Sequence, residues 1–141
     1  MGGSGMDSFG MVLVGWVTLA SLVLYFFTTA YAGRMRERHK IEAPAMTGHP
    51  DFERANRVQA NTLENLVPFL AALWFCAVAW AATPAALLGV AWIVGRVLYA
   101  RGYYRHPKRR GLGFMIAAVA NILLMLGAAY GLVRIMLVLT A

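Results

Sequence analysis

Residues 72–100 read ALWFCAVAWAATPAALLGVAWIVGRVLYA, and this stretch decides the fold. From Ala72 to Gly95 it carries no charged side chain. Its one interruption is Thr83-Pro84, a cap hydroxyl followed by proline at the first helical position. The expectation is two apolar helices, one ending about Ala82 and the next starting at Pro84, joined by a very short uncharged hairpin. A helix needs roughly 20 apolar residues to cross about 30 Å of hydrocarbon. Working outward, runs of that kind extend from about Phe9 to Tyr31, Val58 to Ala82, Pro84 to Tyr104 and Leu112 to Leu139. The fold class expected is an all-α membrane protein, a four-transmembrane-helix bundle.

Composition agrees with lipid as the solvent. Of the 141 residues 60% are hydrophobic and 13% charged, where a soluble domain carries about 25% charged. The net charge of +7 raises nucleic acid as a partner. However, segments 34–57 and 101–110 hold every Lys and Arg except Arg96 and Arg134. Two basic clusters between apolar runs are a topology signal rather than a phosphate-tracking surface, so membrane lipid is expected and nucleic acid is not. By the positive-inside rule both basic loops are cytoplasmic and both termini outside. The single cysteine, Cys76, lies in an apolar run; it excludes an intramolecular disulfide and reads as a small buried hydrophobe.

Met1-Gly2-Gly3-Ser4-Gly5 reads as an appended scar with Met6 as the natural start, leaving residues 6–141 as one domain. Ala30-Tyr31-Ala32 fits a small-x-small cleavage site. No positive charge precedes the first apolar run, and the run is too long for a signal core, so it reads as an uncleaved helix. The 34–56 loop is the only connection long enough to form a cap. Gly127 and Gly131 make a small-x3-small pattern that permits close helix approach, within or between subunits. Asn121 is expected to hydrogen-bond across a helix interface, and Arg134 to snorkel from the outer end.

Polar groups inside a membrane span are costly and mark function or a specific helix contact. Arg57, Asn61 and Glu64 are spaced i, i+4, i+7 on one face of the second helix. Arg96, Tyr99 and Tyr103 share a face of the third, near the same end. The bland alternatives are an Arg57–Glu64 staple between helices and, for the tyrosines, an interfacial belt, the reading adopted for Tyr104. Arg110 sits where the fourth helix starts. Together the two faces describe a pocket of guanidinium groups, phenols, an amide and one carboxylate. It suits a small polyanion that also carries a cationic group for Glu64, since a guanidinium fork holds carboxylates bidentately. His39, His49 and His106 are scattered on loops without ligand spacing, and no metal is expected.

The run Thr47-Gly48-His49-Pro50-Asp51-Phe52-Glu53-Arg54 into Arg57-Val58-Gln59-Ala60-Asn61 and Glu64, then Phe69-Leu70, resembles a family signature. So does Arg96-Val97-Leu98-Tyr99-Ala100-Arg101-Gly102-Tyr103 followed by Arg110. The family is that of the membrane-associated proteins in eicosanoid and glutathione metabolism, and within it the chain resembles the leukotriene-conjugating synthase and microsomal glutathione transferase branch. The resemblance implies a homotrimer with glutathione as co-substrate at each subunit interface. It implies that Arg57, Asn61, Glu64, Tyr99 and Tyr103 bind glutathione, with Gln59 and Arg36 as weaker carry-overs. Arg110 matches the arginine proposed to stabilise the thiolate. Two positions depart from the branch: Asn65 stands where a tyrosine is expected, and Glu37 where a second arginine is.

The function expected is a glutathione-dependent membrane transferase or peroxidase, activating the thiolate for attack on a lipophilic electrophile. One alternative is a non-enzymatic lipid- or glutathione-binding protein of the same fold. Another is a small four-helix exporter, which would need an intramembrane acid exchanging protons with cargo; Glu64 is the only candidate.

Overall fold

The structure is a computed structural model that describes residues 7–141; the stretch read as a scar lies outside them. Its helices are α1 (Ser8–Arg38), α2 (Pro50–Ala79), α3 (Ala82–Arg105) and α4 (Gly111–Thr140), with a 3-10 turn at Pro107–Arg110 before α4. All four helices are long and apolar enough to cross a membrane. The bundle leaves Phe9, Trp16, Phe26, Phe27 and Val138 at 66% exposure or more, a surface that suits acyl chains and not water. Its core runs along α2 and α3, where Phe69 and Trp92 stack with ring centroids 3.9 Å apart. Cys76 is free and buried among them.

Helices α1 and α2 both overrun their apolar spans at the basic end, so the connection is residues 39–49 rather than 34–56. The overrun has local causes. Helix α1 stops in a paired C-terminal turn: the Ile41 amide donates to the Arg36 carbonyl at 3.0 Å and the Lys40 amide to Glu37 at 3.1 Å. Lys40 takes the left-handed conformation (φ 54°) that such a turn requires. Ile41 then packs on Ala32, Met35, Phe52 and Ala55. Helix α2 starts at His49, whose Nδ1 accepts from the Asp51 amide, with Pro50 next and acidic Asp51 and Glu53 in the first turn.

At the opposite end the hairpin is Trp80-Ala81. Thr83 was expected to cap α3, but the helix starts earlier, with Ala81 at the cap position and no side-chain bond there. Pro84 accordingly stands inside the first turn. Thr83 instead donates its hydroxyl to Asp7 Oδ2 at 2.5 Å, while Asp7 Oδ1 accepts from the Gly10 amide at 2.9 Å. Asp7 thus caps α1 and ties it to the hairpin. The Thr83 hydroxyl first, and the Gly10 amide second, hold the Asp7 carboxyl below the ordinary carboxylate range.

Helix α4 seats through glycine. A Cβ on Gly113 would lie 2.1 Å from the Tyr99 amide nitrogen, and one on Gly95 2.6 Å from that of Ala117. Farther along, a Cβ on Gly127 would meet Cys76 Sγ and the Trp80 ring at 2.8 Å, and one on Gly131 the Ala79 oxygen at 2.4 Å. The small-x3-small pattern therefore serves contact within the chain. Asn121 does not make the cross-helix bond expected of it: its Oδ1 is buried without a hydrogen-bond partner among the described residues. Arg134 lies over the Tyr130 ring at 5.9 Å.

Candidate functional site

The i, i+4, i+7 spacing on α2 brings its three polar groups together. Arg57 Nη1 stands 3.8 Å from Glu64 Oε1, both side chains more than half exposed. Asn61 donates its amide to Glu64 Oε2 at 3.3 Å. The Asn61 oxygen accepts from Arg96 Nη1 at 3.1 Å, and Arg96 Nη2 donates to the Thr62 hydroxyl at 2.8 Å. A guanidinium offers only donors, so Arg96 fixes which way the Asn61 amide points: oxygen inward, NH2 toward Glu64. Pro68 sits within α2 and has no N–H to give the Glu64 carbonyl, so the helix loses one backbone bond beside the cluster.

Arg96 is 1% exposed and links the two helices. Its Cζ lies 4.3 Å from the centroid of the Tyr99 ring, a cation–π distance. Tyr99 and Tyr103 follow, with centroids 5.6 Å apart, and Arg110 Cζ stands 5.5 Å from the Tyr103 ring. Arg110 reaches this point because the 3-10 turn folds back on α3. His106 caps that turn, its Nδ1 accepting from the Lys108 amide at 3.2 Å. Gly102 makes room, since a Cβ there would lie 2.4 Å from the Arg109 oxygen.

Contacts therefore run without a break through Arg57, Glu64, Asn61, Arg96, Tyr99, Tyr103 and Arg110, joining six of the eight residues expected at the site. The remaining two lie elsewhere. Gln59 donates to the Tyr25 hydroxyl at 2.8 Å, facing α1. Arg36 lies over the Phe52 ring at 4.7 Å and reaches the Glu42 carbonyl at 3.4 Å. Among the described residues neither is bonded to the other six. Asn65 turns onto its own helix, donating to the Asn61 carbonyl at 2.8 Å.

Arg96 was read only as one member of a polar face, and Thr62 not at all. The signal was a lone arginine inside an apolar run, whose fork needs acceptors from a neighbouring helix. Two other expectations change. Tyr104 is not a belt residue facing lipid; its ring packs on Tyr31 at 4.4 Å, on the cluster under the α1–α2 loop. His39 and His49 are not scattered either, since their rings stack 3.5 Å apart. The loop brings them together as α1 and α2 overrun their spans.

Beside the network Tyr103 lines a cleft of about 290 Å³ with Pro50, Glu53, Arg54 and Pro107. A larger, apolar groove of about 530 Å³ is lined by Leu70, Ala71, Trp74, Phe75 and Val78. Ala71 and Val78 continue the heptad spacing of Arg57 and Glu64, so the groove lies on the same stripe of α2, about 10 Å farther along the helix axis.

The MAPEG family model matches residues 14–130. An uncharacterized protein of Synechocystis is 42% identical over 112 residues, 79% of this chain and 82% of that protein. Human microsomal glutathione S-transferase 2 is 33% identical over 118 residues, 83% of this chain and 80% of its own length. Guinea-pig leukotriene C4 synthase is 34% identical over 122 residues, 86% of this chain and 81% of its own. The chain belongs to the MAPEG family and is an integral membrane protein.

Proposed function

We propose, from its membership of this family, that the protein is a glutathione-dependent membrane enzyme, a transferase or peroxidase acting on a lipophilic electrophile. The observation that carries the reading is the unbroken chain of contacts from Arg57 to Arg110. Glutathione has two carboxylates, an ammonium group and a thiol. Arg57, the NH2 of Asn61 and the phenols offer donors for its carboxylates, and Glu64 offers a counter-charge for its ammonium. The half-exposed Arg57 and Glu64 leave room for that exchange of partners.

Arg110 is the residue assigned to the thiol. A free thiol has a pKa of about 8.5, so only a few per cent is ionised at neutral pH. A guanidinium in a poorly hydrated site that lowers it to about 6.5 stabilises the thiolate by about 2.7 kcal/mol. The proton leaves to solvent, and the sulfur lone pair forms the new bond to carbon, or to oxygen of a peroxide, as the leaving group departs. The apolar groove at Leu70–Val78 is where the lipophilic partner lies, on the same helix stripe as Glu64.

In this reading the protein is a trimer with glutathione between subunits. Gln59 and Arg36, which face away from the network within one chain, then serve the neighbouring site. The basic end of the bundle is cytoplasmic and both termini lie outside. Glu64 is engaged by Arg57 and Asn61, which leaves an exporter without a free proton-carrying acid.

The test is ultraviolet difference absorbance on adding glutathione, followed by conjugation to a model electrophile. Wild-type protein is expected to form thiolate at neutral pH, and Arg110→Ala to lose about a hundredfold in kcat, the usual cost of one charge-stabilising donor. Thiolate formation with no turnover on any electrophile or peroxide would favour the binding-only reading. Unchanged conjugation in Arg110→Ala removes Arg110 from the chemistry.

A further inference from the structure

We propose that His39, His49 and Asp51 form a binding site for a divalent cation of the zinc class, which staples the end of α1 to the start of α2. The site lies apart from the glutathione network, at the mouth of the 39–49 connection. Its three donor atoms converge: His39 Nε2 is 3.7 Å from Asp51 Oδ2, His49 Nδ1 is 3.9 Å from the same oxygen, and all lie within 4.8 Å of one another. A zinc-class ion bound at about 2.1 Å by tetrahedral donors holds them about 3.4 Å apart. Both imidazole donors therefore stand a few tenths of an ångström too far from Asp51 for coordination.

Two further features point to a ligand. His39 Nε2 is buried and has no hydrogen-bond partner among the described residues, an unmet need in a ring that is itself only 18% exposed. Asp51 is oriented from behind: Arg54 holds its Oδ1, which leaves Oδ2 turned to the two imidazoles. Outer partners of this kind hold metal-binding carboxylates in place. Imidazole with one carboxylate suits zinc, copper, nickel or iron and not calcium or magnesium.

The two rings stack at 3.5 Å with planes 11° apart, and imidazole lone pairs lie in the ring plane. An ion shared by both needs the stack to splay. His49 Nδ1 also gives up the Asp51 amide at 3.2 Å in exchange for the metal. The three protein donors leave a fourth position for water. Because His39 ends α1 and His49 begins α2, the ion ties two helix ends across the connection that carries Met46 against Arg36.

The experiment is a Co²⁺ titration of tag-free, chelator-treated protein in detergent, read by visible absorption and back-titrated with Zn²⁺. One Co²⁺ per chain is expected, with the intense absorption of a low-coordinate site, displaced by Zn²⁺. His39→Ala and Asp51→Asn are each expected to lose at least tenfold in affinity, and His106→Ala to bind as wild type. His39 caps α1 through its backbone, so its variant keeps the helix; should it not fold, Asp51→Asn gives the same reading. Absence of Zn²⁺-displaceable Co²⁺ in wild type overturns the site, as does wild-type affinity in either ligand variant.

Discussion

Helix α3 makes two seams that obey opposite rules. Toward α2 it presents Arg96 and Tyr99, each 1% exposed, and the contact is made by a guanidinium fork reaching an amide and a hydroxyl. Toward α4 it presents Gly95, next in sequence to Arg96, and meets Gly113, where a Cβ would lie 2.1 Å from the Tyr99 backbone. In the glycine seam close backbone approach does the holding, as is usual where lipid supplies no hydrophobic drive between helices. In the polar seam a charged group, Arg96, is kept in a costly place and partly unpaired, its Nε without a partner among the described residues. On the proposed reading the polar seam serves the site and the glycine seam serves packing.

This contrast can be broken by substitution. The largest effect is expected from Gly113→Ala, whose new methyl meets backbone that cannot move aside. A loss of about 3 kcal/mol in denaturant or thermal unfolding is expected, at the upper end of overpacking costs. Unfolding is the readout for this variant, since the displaced backbone includes Tyr99 of the proposed site. Arg96→Met is expected to do the reverse. It removes a buried charge, so unfolding changes little, but it frees Asn61 to flip and lowers kcat/KM about tenfold or more, worth about 1.4 kcal/mol. If Arg96→Met instead unfolds the protein with normal kinetics, the polar seam is only a staple.

A smaller effect sharpens the glycine side. Gly127→Ala meets side chains, Cys76 Sγ and the partly exposed Trp80 ring, rather than backbone. The ring can yield, and a cost of about 1 kcal/mol is expected. Gly15, where an added Cβ would meet nothing from other elements within 4 Å among the described residues, is the control: Gly15→Ala should be neutral or slightly stabilising in a helix interior.

The smallest effect is a pH dependence at the far end. The Asp7 carboxyl is held below its ordinary range by Thr83, so its tie to the hairpin is present above a pH of about 4 and is lost as pH falls through the folded-state value. Amide exchange at Gly10, taken relative to its intrinsic rate at each pH, should quicken on acidification over that window. In Thr83→Val, which removes the largest cause of the depression, it should be fast already and less responsive to pH.

Much of the architecture was legible from residues. Uncharged runs and the Thr83-Pro84 break located the helices, because a span must be apolar for its whole length and a proline favours a helix start. The i, i+4, i+7 spacing of Arg57, Asn61 and Glu64 located their shared face, since helical periodicity is a local property. The helix ends were less legible: Lys40 adopting a left-handed turn and His49 acting as a cap are choices made by short-range bonds, with no strong compositional sign. Gln59, which only the resemblance placed at the site, stands two residues from Asn61 on another face of the helix and meets Tyr25.

What the sequence determined by itself was which solvent this chain requires and which residues share a helical face, because both follow from transfer energies and a fixed helical repeat. What tertiary structure alone decided was partnership. Arg96 finds Asn61 and Thr62 across a gap of more than thirty positions, and His39 finds His49 across a loop. Such pairings depend on how helices rotate and cross once packed, and no local period of the chain encodes that.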